Sequence, residues 1–205
     1  MDQIVKAAMR KWPTVPHCYG WLALDARGDW YLRDEPTQAA GHFPRPKGSR
    51  IEHEGLREFI ERNYEADARG CWYFQNGPQR VYVTLELAPW AYRVQGDGTL
   101  RTQSDRRPRE LRAAALLENG FLVLETDLGA GGVDDRDLPW LLQALVDRDG
   151  APLAEDAVEE WSGGSREAWL CAERLGLRGG VVRVQRLDAA GLGERFDFVR
   201  APAPD

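Results

Sequence analysis

Three histidines and three cysteines are the residues of this 205-residue sequence best suited to metal or nucleophile chemistry. A structural zinc site needs such ligands at short, regular spacings. His17 and Cys18 are adjacent, so in an extended segment their side chains diverge. His42, His53 and Cys71 follow with no ligand spacing, and no metal site is expected. A cysteine nucleophile needs a thiolate beside a positioned base. Cys18 precedes an apolar run and Cys71 sits within a hairpin-like one, where cysteine behaves as a small buried hydrophobe. No serine occupies a Gly-x-Ser-x-Gly elbow. Gly129-Ala130-Gly131-Gly132 lacks the Lys-Ser/Thr ending of a phosphate loop and reads as a plain loop. Asp134, Asp135 and Asp137 are close in sequence, and nothing around them implies the burial that tunes carboxylates for acid–base work. No catalytic residue and no cofactor is therefore expected.

A surface suited to binding is left. Arg80, Tyr82 and Thr84 share the polar face of an alternating strand, beside Gln75, Asn76 and Gln79 at a turn, with Trp90 and Tyr92 following. Arginine and aromatic groups on a rigid sheet make a reasonable platform for a ligand or partner. Asn76, Arg80, Tyr82, Thr84 and Trp90 are the candidate ligand-binding residues. The competing structural reading is that this face lies under a helix or meets water. Two other function classes stay open: a small hydrolase or transferase using Arg80, Asn76 and an acid such as Asp127, and a scaffold or homo-oligomer subunit.

The elements that must position these residues are legible from periodicity. Asp2 to Trp12 reads as a helix with Ile4, Val5, Ala8 and Trp12 on one face, stopped by Pro13. Trp21 to Leu24 and Asp29 to Arg33 form a hairpin about Asp25-Ala26-Arg27-Gly28. Pro36 to Gly48 reads as a surface loop. A helix follows from about His53 to Tyr64. The turn then returns as Asp67-Ala68-Arg69-Gly70-Cys71-Trp72-Tyr73, identical at six of seven positions to Asp25 through Tyr31. This predicts a structural repeat in which a glycine takes positive φ and a tryptophan points into the core. Weaker turns at Gly96-Asp97-Gly98, Glu118-Asn119-Gly120 and Arg148-Asp149-Gly150 are ordinary antiparallel turn chemistry.

Beyond Trp72 the pattern is strongly β. Val81, Val83, Leu85 and Leu87 alternate with Tyr82, Thr84 and Glu86, and Ala91 to Val94 resumes after Pro89. Leu111 to Leu117 and Phe121 to Thr126 make a further hairpin. Leu138 to Val146 fits neither the helical nor the strand period. Ser162-Gly163-Gly164-Ser165 reads as a flexible connector, Arg166 to Leu175 as a short helix stopped by Gly176, and Val181 to Val184 as a late strand. Ala201 to Asp205 reads as a frayed tail. The fold class expected is α+β, with antiparallel β-meander sheets, packed helices and a repeated strand–turn–strand unit. The segments expected are 1–64, 65–130 and an acidic 131–205, the last either separate or one continuous domain with the rest.

Composition bounds the rest. With 43% hydrophobic and 29% charged residues the chain is of globular type. Residues 1–104 carry 14 basic and 13 acidic groups, and residues 105–205 carry 13 and 20. Eleven acids lie between Glu125 and Glu160 against Arg136 and Arg148, which works against nucleic-acid binding. Neither a signal peptide nor a membrane span is expected, and the sparse, odd cysteine set predicts a reducing, cytoplasmic setting. The partner expected is a small molecule or a protein.

Gly28-Asp29-Trp30, Ile51-Glu52-His53 leading into Leu56, Val81 to Leu87 running into Ala88-Pro89-Trp90, and Leu124 to Gly129 followed by Leu138-Pro139 resemble the bacterial family numbered domain of unknown function 1285. The similarity covers about residues 20–140. The opening from Lys11-Trp12-Pro13 to Cys18-Tyr19-Gly20-Trp21 also resembles a narrower proteobacterial family. The broader resemblance implies an α+β fold with repeated motifs and a signalling or regulatory role. It carries no catalytic residues onto this chain. The Pro36–Gly48 stretch and the segment after Trp140 depart from its pattern.

Overall fold

In the computed structural model, which describes residues 1–204, the chain builds two sheets in two compact units. The first unit comprises residues 1–89 together with the chain from Gly193 onward, and the second comprises Trp90–Leu192. The boundary falls after Pro89.

The first unit contains α1 (Gln3–Lys11), β1 (Cys18–Leu24), β2 (Trp30–Leu32), α2 (Glu35–Ala40), β3 (Ser49–Arg50), α3 (Glu54–Arg62), β4 (Tyr64–Ala66), β5 (Trp72–Asn76) and β6 (Gln79–Leu85). Its strands lie in the order β3-β2-β1-β6-β5-β4. One face of the sheet meets α3, where Phe59 stands edge-on to Phe74 at 5.4 Å. Trp30 meets Tyr64 edge-on at 5.2 Å, and Trp72 leans on the same ring at 4.8 Å. Trp30 and Tyr64 are fully buried and Trp72 half-buried. Burying an aromatic side chain of this kind stabilises by about 1.5–3 kcal/mol, so both glycine-turned ribbons are anchored by their tryptophans. Helix α1 buries Val5 but leaves Ile4 75% and Trp12 51% exposed. Trp12 lies beyond the last helical residue, off the helical stripe, with the Lys11 ammonium over its ring.

The second unit contains β7 (Trp90–Val94), β8 (Leu100–Thr102), β9 (Leu111–Leu117), β10 (Leu122–Thr126), β11 (Gly129–Val133), α4 (Leu138–Leu142), β12 (Leu145–Val146), α5 (Glu155–Ser162), β13 (Trp169–Cys171) and β14 (Val181–Leu187). The order is β12-β13-β14-β9-β10-β11-β7-β8.

The fold is α+β, but both sheets are mixed rather than antiparallel meanders. In the first, the meanders β1-β2-β3 and β4-β5-β6 join through a parallel β1/β6 pair. In the second, β9-β10-β11 and β12-β13-β14 join through a parallel β14/β9 pair, and β7 runs parallel to β11. The six strands are thus connected alike in both sheets. Alternation reports which face of a strand is buried but not the direction of a non-consecutive neighbour, so the sequence pattern is blind to these pairs.

The turn between β1 and β2 recurs in form. Glycine N–H groups close it at Gly28, Gly70, Gly98, Gly120 and Gly150, bonding to the carbonyls of Asp25, Asp67, Gln95, Leu117 and Asp147. All five glycines have φ between +75° and +85°, the left-handed position that follows a type I turn in a three-residue hairpin loop. Where aspartate leads, its carboxylate accepts from two backbone N–H groups, as Asp25 does from Arg27 and Asp29 and Asp147 from Asp149 and Ala151. Two of these aspartates go further: Asp25 accepts from the Tyr31 hydroxyl at 3.1 Å and the Lys47 ammonium at 2.8 Å, and Asp67 from the Tyr82 hydroxyl at 3.0 Å.

Several local expectations are corrected. The Pro36–Gly48 stretch begins within α2, because Asp34 caps the Thr37 N–H and Pro36 occupies the first turn, where no backbone donor is required. Gly129 to Gly132 is strand β11, mostly buried, and not a loop. A Cβ on Gly131 would lie 2.4 Å from the Tyr92 ring and 2.9 Å from Trp90 Cβ, so glycine is what lets β11 lie against those aromatic side chains. Leu138 to Val146 fits neither period because it is helix α4 and then strand β12. The segment read as one helix from Arg166 to Leu175 forms β13 between β12 and β14, then a 3-10 turn ended by Gly176 at φ +68°. Ser162 to Ser165 terminates α5, with the Gly163 and Gly164 N–H groups bonded to helix carbonyls. In the tail, Pro202 is buried; Asp205 lies outside the described residues. No helix among the described residues is long and apolar enough to cross a membrane.

Candidate functional site

The candidate residues on β6 take their places from its register with β5. Tyr82 pairs with Tyr73, Arg80 with Gln75, and Gln79 with Asn76. Arg80, Tyr82 and Thr84 therefore share one face with Tyr73 and Gln75, while Asn76 sits with Gln79 on the other, at the exposed tip. Tyr82 is buried and stacked on Tyr19 at 4.6 Å, with His17 and Tyr73 edge-on at 5.7 and 5.8 Å. Its hydroxyl donates to Asp67 at 3.0 Å and receives hydrogen bonds from Arg69 and Arg80. The Arg80 guanidinium stands 4.5 Å over the Tyr73 ring. Gln75 is fully buried, and its Nε2 donates to the Gly77 carbonyl.

Electrostatics set the protonation of this cluster. Burial pushes the Tyr82 hydroxyl up, and the Asp67 carboxylate beside it adds to that against the Arg80 hydrogen bond. Burial would raise Asp67 too, but bonds from the Cys71 N–H, Tyr82 and Arg69 bring it below the usual carboxylate range. Tyr82 is thus a neutral phenol and Asp67 an occupied anion at neutral pH, and neither is poised to take a proton. Thr84 is half-buried opposite Ala23 on β1. Trp90 belongs to the second unit, 2% exposed, with its indole N–H on the Leu128 carbonyl and the Arg106 guanidinium over its ring. Asp127 accepts from the Arg109 and Glu110 N–H groups at 2.7 and 3.1 Å. The structure brings Arg80, Tyr82 and Thr84 onto one face, turns Asn76 away from them, and buries Trp90 in the second unit's core.

A concave site lies elsewhere, within the second unit. Helices α4 and α5 cover the sheet near the β9–β10 turn and border a half-open cavity of about 290 Å³. Leu116 and Leu122 line it from the sheet, Leu138, Leu141 and Leu142 from α4, and Trp161 from α5. Leu122, Leu141 and Trp161 are buried, whereas Leu142 is 39% exposed. The polar lining consists of Glu118, Ser162 and Arg186. Arg186 stands on β14 in register with Leu116, and its Nη2 donates to the Trp161 and Ser162 carbonyls at the end of α5. The Glu118 carboxylate accepts from the Ala189 N–H at 2.8 Å.

None of these residues carries chemistry on its own, which is why reasoning from reactive side chains passes over them. The available signal is the leucine density of Leu138 to Leu142, together with Trp161 inside an otherwise acidic stretch. Among the described residues, no group of three or more His, Cys, Asp or Glu side chains could hold a metal ion.

No curated protein matches the sequence. A crystal structure of a DUF1285 family protein from Silicibacter pomeroyi DSS-3 is similar at 12% identity and a TM-score of 0.48, covering 90% of this chain and 97% of that one. This is the family that Gly28-Asp29-Trp30 and Ala88-Pro89-Trp90 resemble. The sequence also matches, over residues 1–203, a family described as "Protein of unknown function (DUF2946)".

Proposed function

The chain belongs to this family of unknown function, and from that starting point we propose that it is a non-catalytic ligand-binding module of regulatory or signalling type. The observation that carries the reading is the leucine-lined cavity of the second unit. At about 290 Å³ it lies at the lower edge of small-molecule sites, which are mostly apolar with a few placed polar groups. A non-catalytic role is supported by the engagement of the reactive side chains. Asp127 is held by backbone donors, and Asn76 and Arg80 face opposite sides of their ribbon. Straight-chain alcohols test the reading by isothermal titration of the full chain. Octanol binds the native protein, and Leu142→Trp, at an exposed rim position that tolerates the larger ring, weakens it at least about tenfold by filling the entrance. Absence of octanol binding, or equal binding by the variant, rejects it.

A further inference from the structure

Arg186 stands at the rim of the leucine cavity with most of its hydrogen-bonding capacity unused. A guanidinium offers about five N–H donors in a planar fork. Both bonds that Arg186 makes to the protein leave from Nη2, to the Trp161 and Ser162 carbonyls. Those carbonyls end α5, where the helix dipole favours a cation, and they hold the planar group in place. Among the described residues, no carboxylate lies within ion-pair distance of Arg186, so Nη1 and Nε are left for another acceptor. The acid in the same lining, Glu118, is engaged by the Ala189 N–H.

We infer that the cavity takes an unbranched alkyl chain ending in a single anionic head, with the chain among the leucines and the head on Arg186. The inference rests on the reading of the cavity as a ligand site and adds the class of ligand. The volume sets the length of the chain. At about 30 Å³ per non-hydrogen atom, of the order of a water's share of liquid volume, a space of about 290 Å³ holds about ten such atoms. A medium-length carboxylate therefore fits, and each methylene up to that limit tightens binding about fourfold.

The test holds the tail constant and varies the head, using octanoate, octanol and octylamine titrated into the full chain by calorimetry. Octanoate binds about fivefold more tightly than octanol, the upper end of what an exposed charge-assisted pair allows, and octylamine binds worst. Arg186→Gln brings octanoate down to the octanol level, while Arg186→Lys restores part of the difference because it keeps the charge but not the fork. Arg186 is exposed, and matched unfolding midpoints confirm that the variants fold. Equal affinity for the three heads, tighter binding of octylamine through Glu118, or an unchanged octanoate affinity in Arg186→Gln overturns the head assignment while the ligand-site reading stands. If none of the three binds, that reading fails as well. Across hexanoate, octanoate, decanoate and dodecanoate the gain stops near the tail length that the cavity holds; a gain continuing through dodecanoate overturns the length assignment.

Discussion

Asp134 shows how a single buried charge sets a pH dependence. Its carboxylate is 1% exposed and receives a two-pronged bond from Arg136, at 2.8 and 2.7 Å, and a third contact from Arg93 at 3.1 Å. The Arg136 hydrogen bonds are the main reason its pKa lies far below the ordinary carboxylate value, outweighing burial. A carboxyl with a folded pKa below its unfolded value stabilises the fold above the unfolded pKa, near 4, and loses that contribution as the pH falls towards the folded pKa. Asp134→Asn keeps an acceptor for the Arg136 N–H but removes the charge. It should cost about 2 kcal/mol at pH 7, with the gap to the native protein narrowing below about pH 4. Urea unfolding at pH 7 and pH 3 measures both, and an equal gap at the two values refutes the assignment.

At the scale of elements, the shared turn separates what a hairpin needs from what a site adds. Asp147 makes the two backbone bonds of the turn and nothing more, whereas Asp25 also anchors Tyr31 and Lys47. Asp147→Ala should therefore cost about 1 kcal/mol and Asp25→Ala about 2 kcal/mol, because the second also removes the acceptor of the Tyr31 hydroxyl and of the half-exposed Lys47 ammonium. Denaturation midpoints of the two variants decide the order, and equal losses would refute it. The elements legible in the sequence are those whose partner follows directly in the chain across a glycine turn, such as β5–β6 about Asn76 and β9–β10 about Asn119. Those passed over have tertiary causes. Strand β11 depends on aromatic side chains that approach Gly131 from β7, β13 on pairing with β12 and β14, and α5 on Ala157 and Trp161 hidden among acids. The cavity is illegible for the same reason, because its lining comes together only when α4, α5 and the sheet pack.

On the scale of the whole molecule, one unit is continuous in sequence and the other is not. The first unit is completed by the chain beyond Gly193, where Phe196 and Phe198 are buried, the Val199 N–H bonds to the Gly70 carbonyl, and the Arg200 carbonyl accepts from the Leu85 N–H. Deleting residues 196–205 removes two buried phenylalanines, worth about 1.5–3 kcal/mol each, a large share of the stability of a domain of this size. The residues lining the cavity all lie within Trp90–Leu192. The deletion should lower the unfolding transition of the first unit by calorimetry and leave that of the second in place. A uniform shift of all transitions, or none, contradicts the division.

The interrupted path of the first unit has a consequence for biosynthesis. A ribosome delivers residues 1–89 early and the segment from Gly193 that packs with them only after all of Trp90–Leu192. The N-terminal half must wait, incompletely protected, while the inserted half matures ahead of it. Its parallel β1/β6 pair joins strands far apart in the chain, a contact of high sequence separation and slow formation. Released chains truncated before Gly193 should therefore be cut by protease in the first unit and resist it in the second.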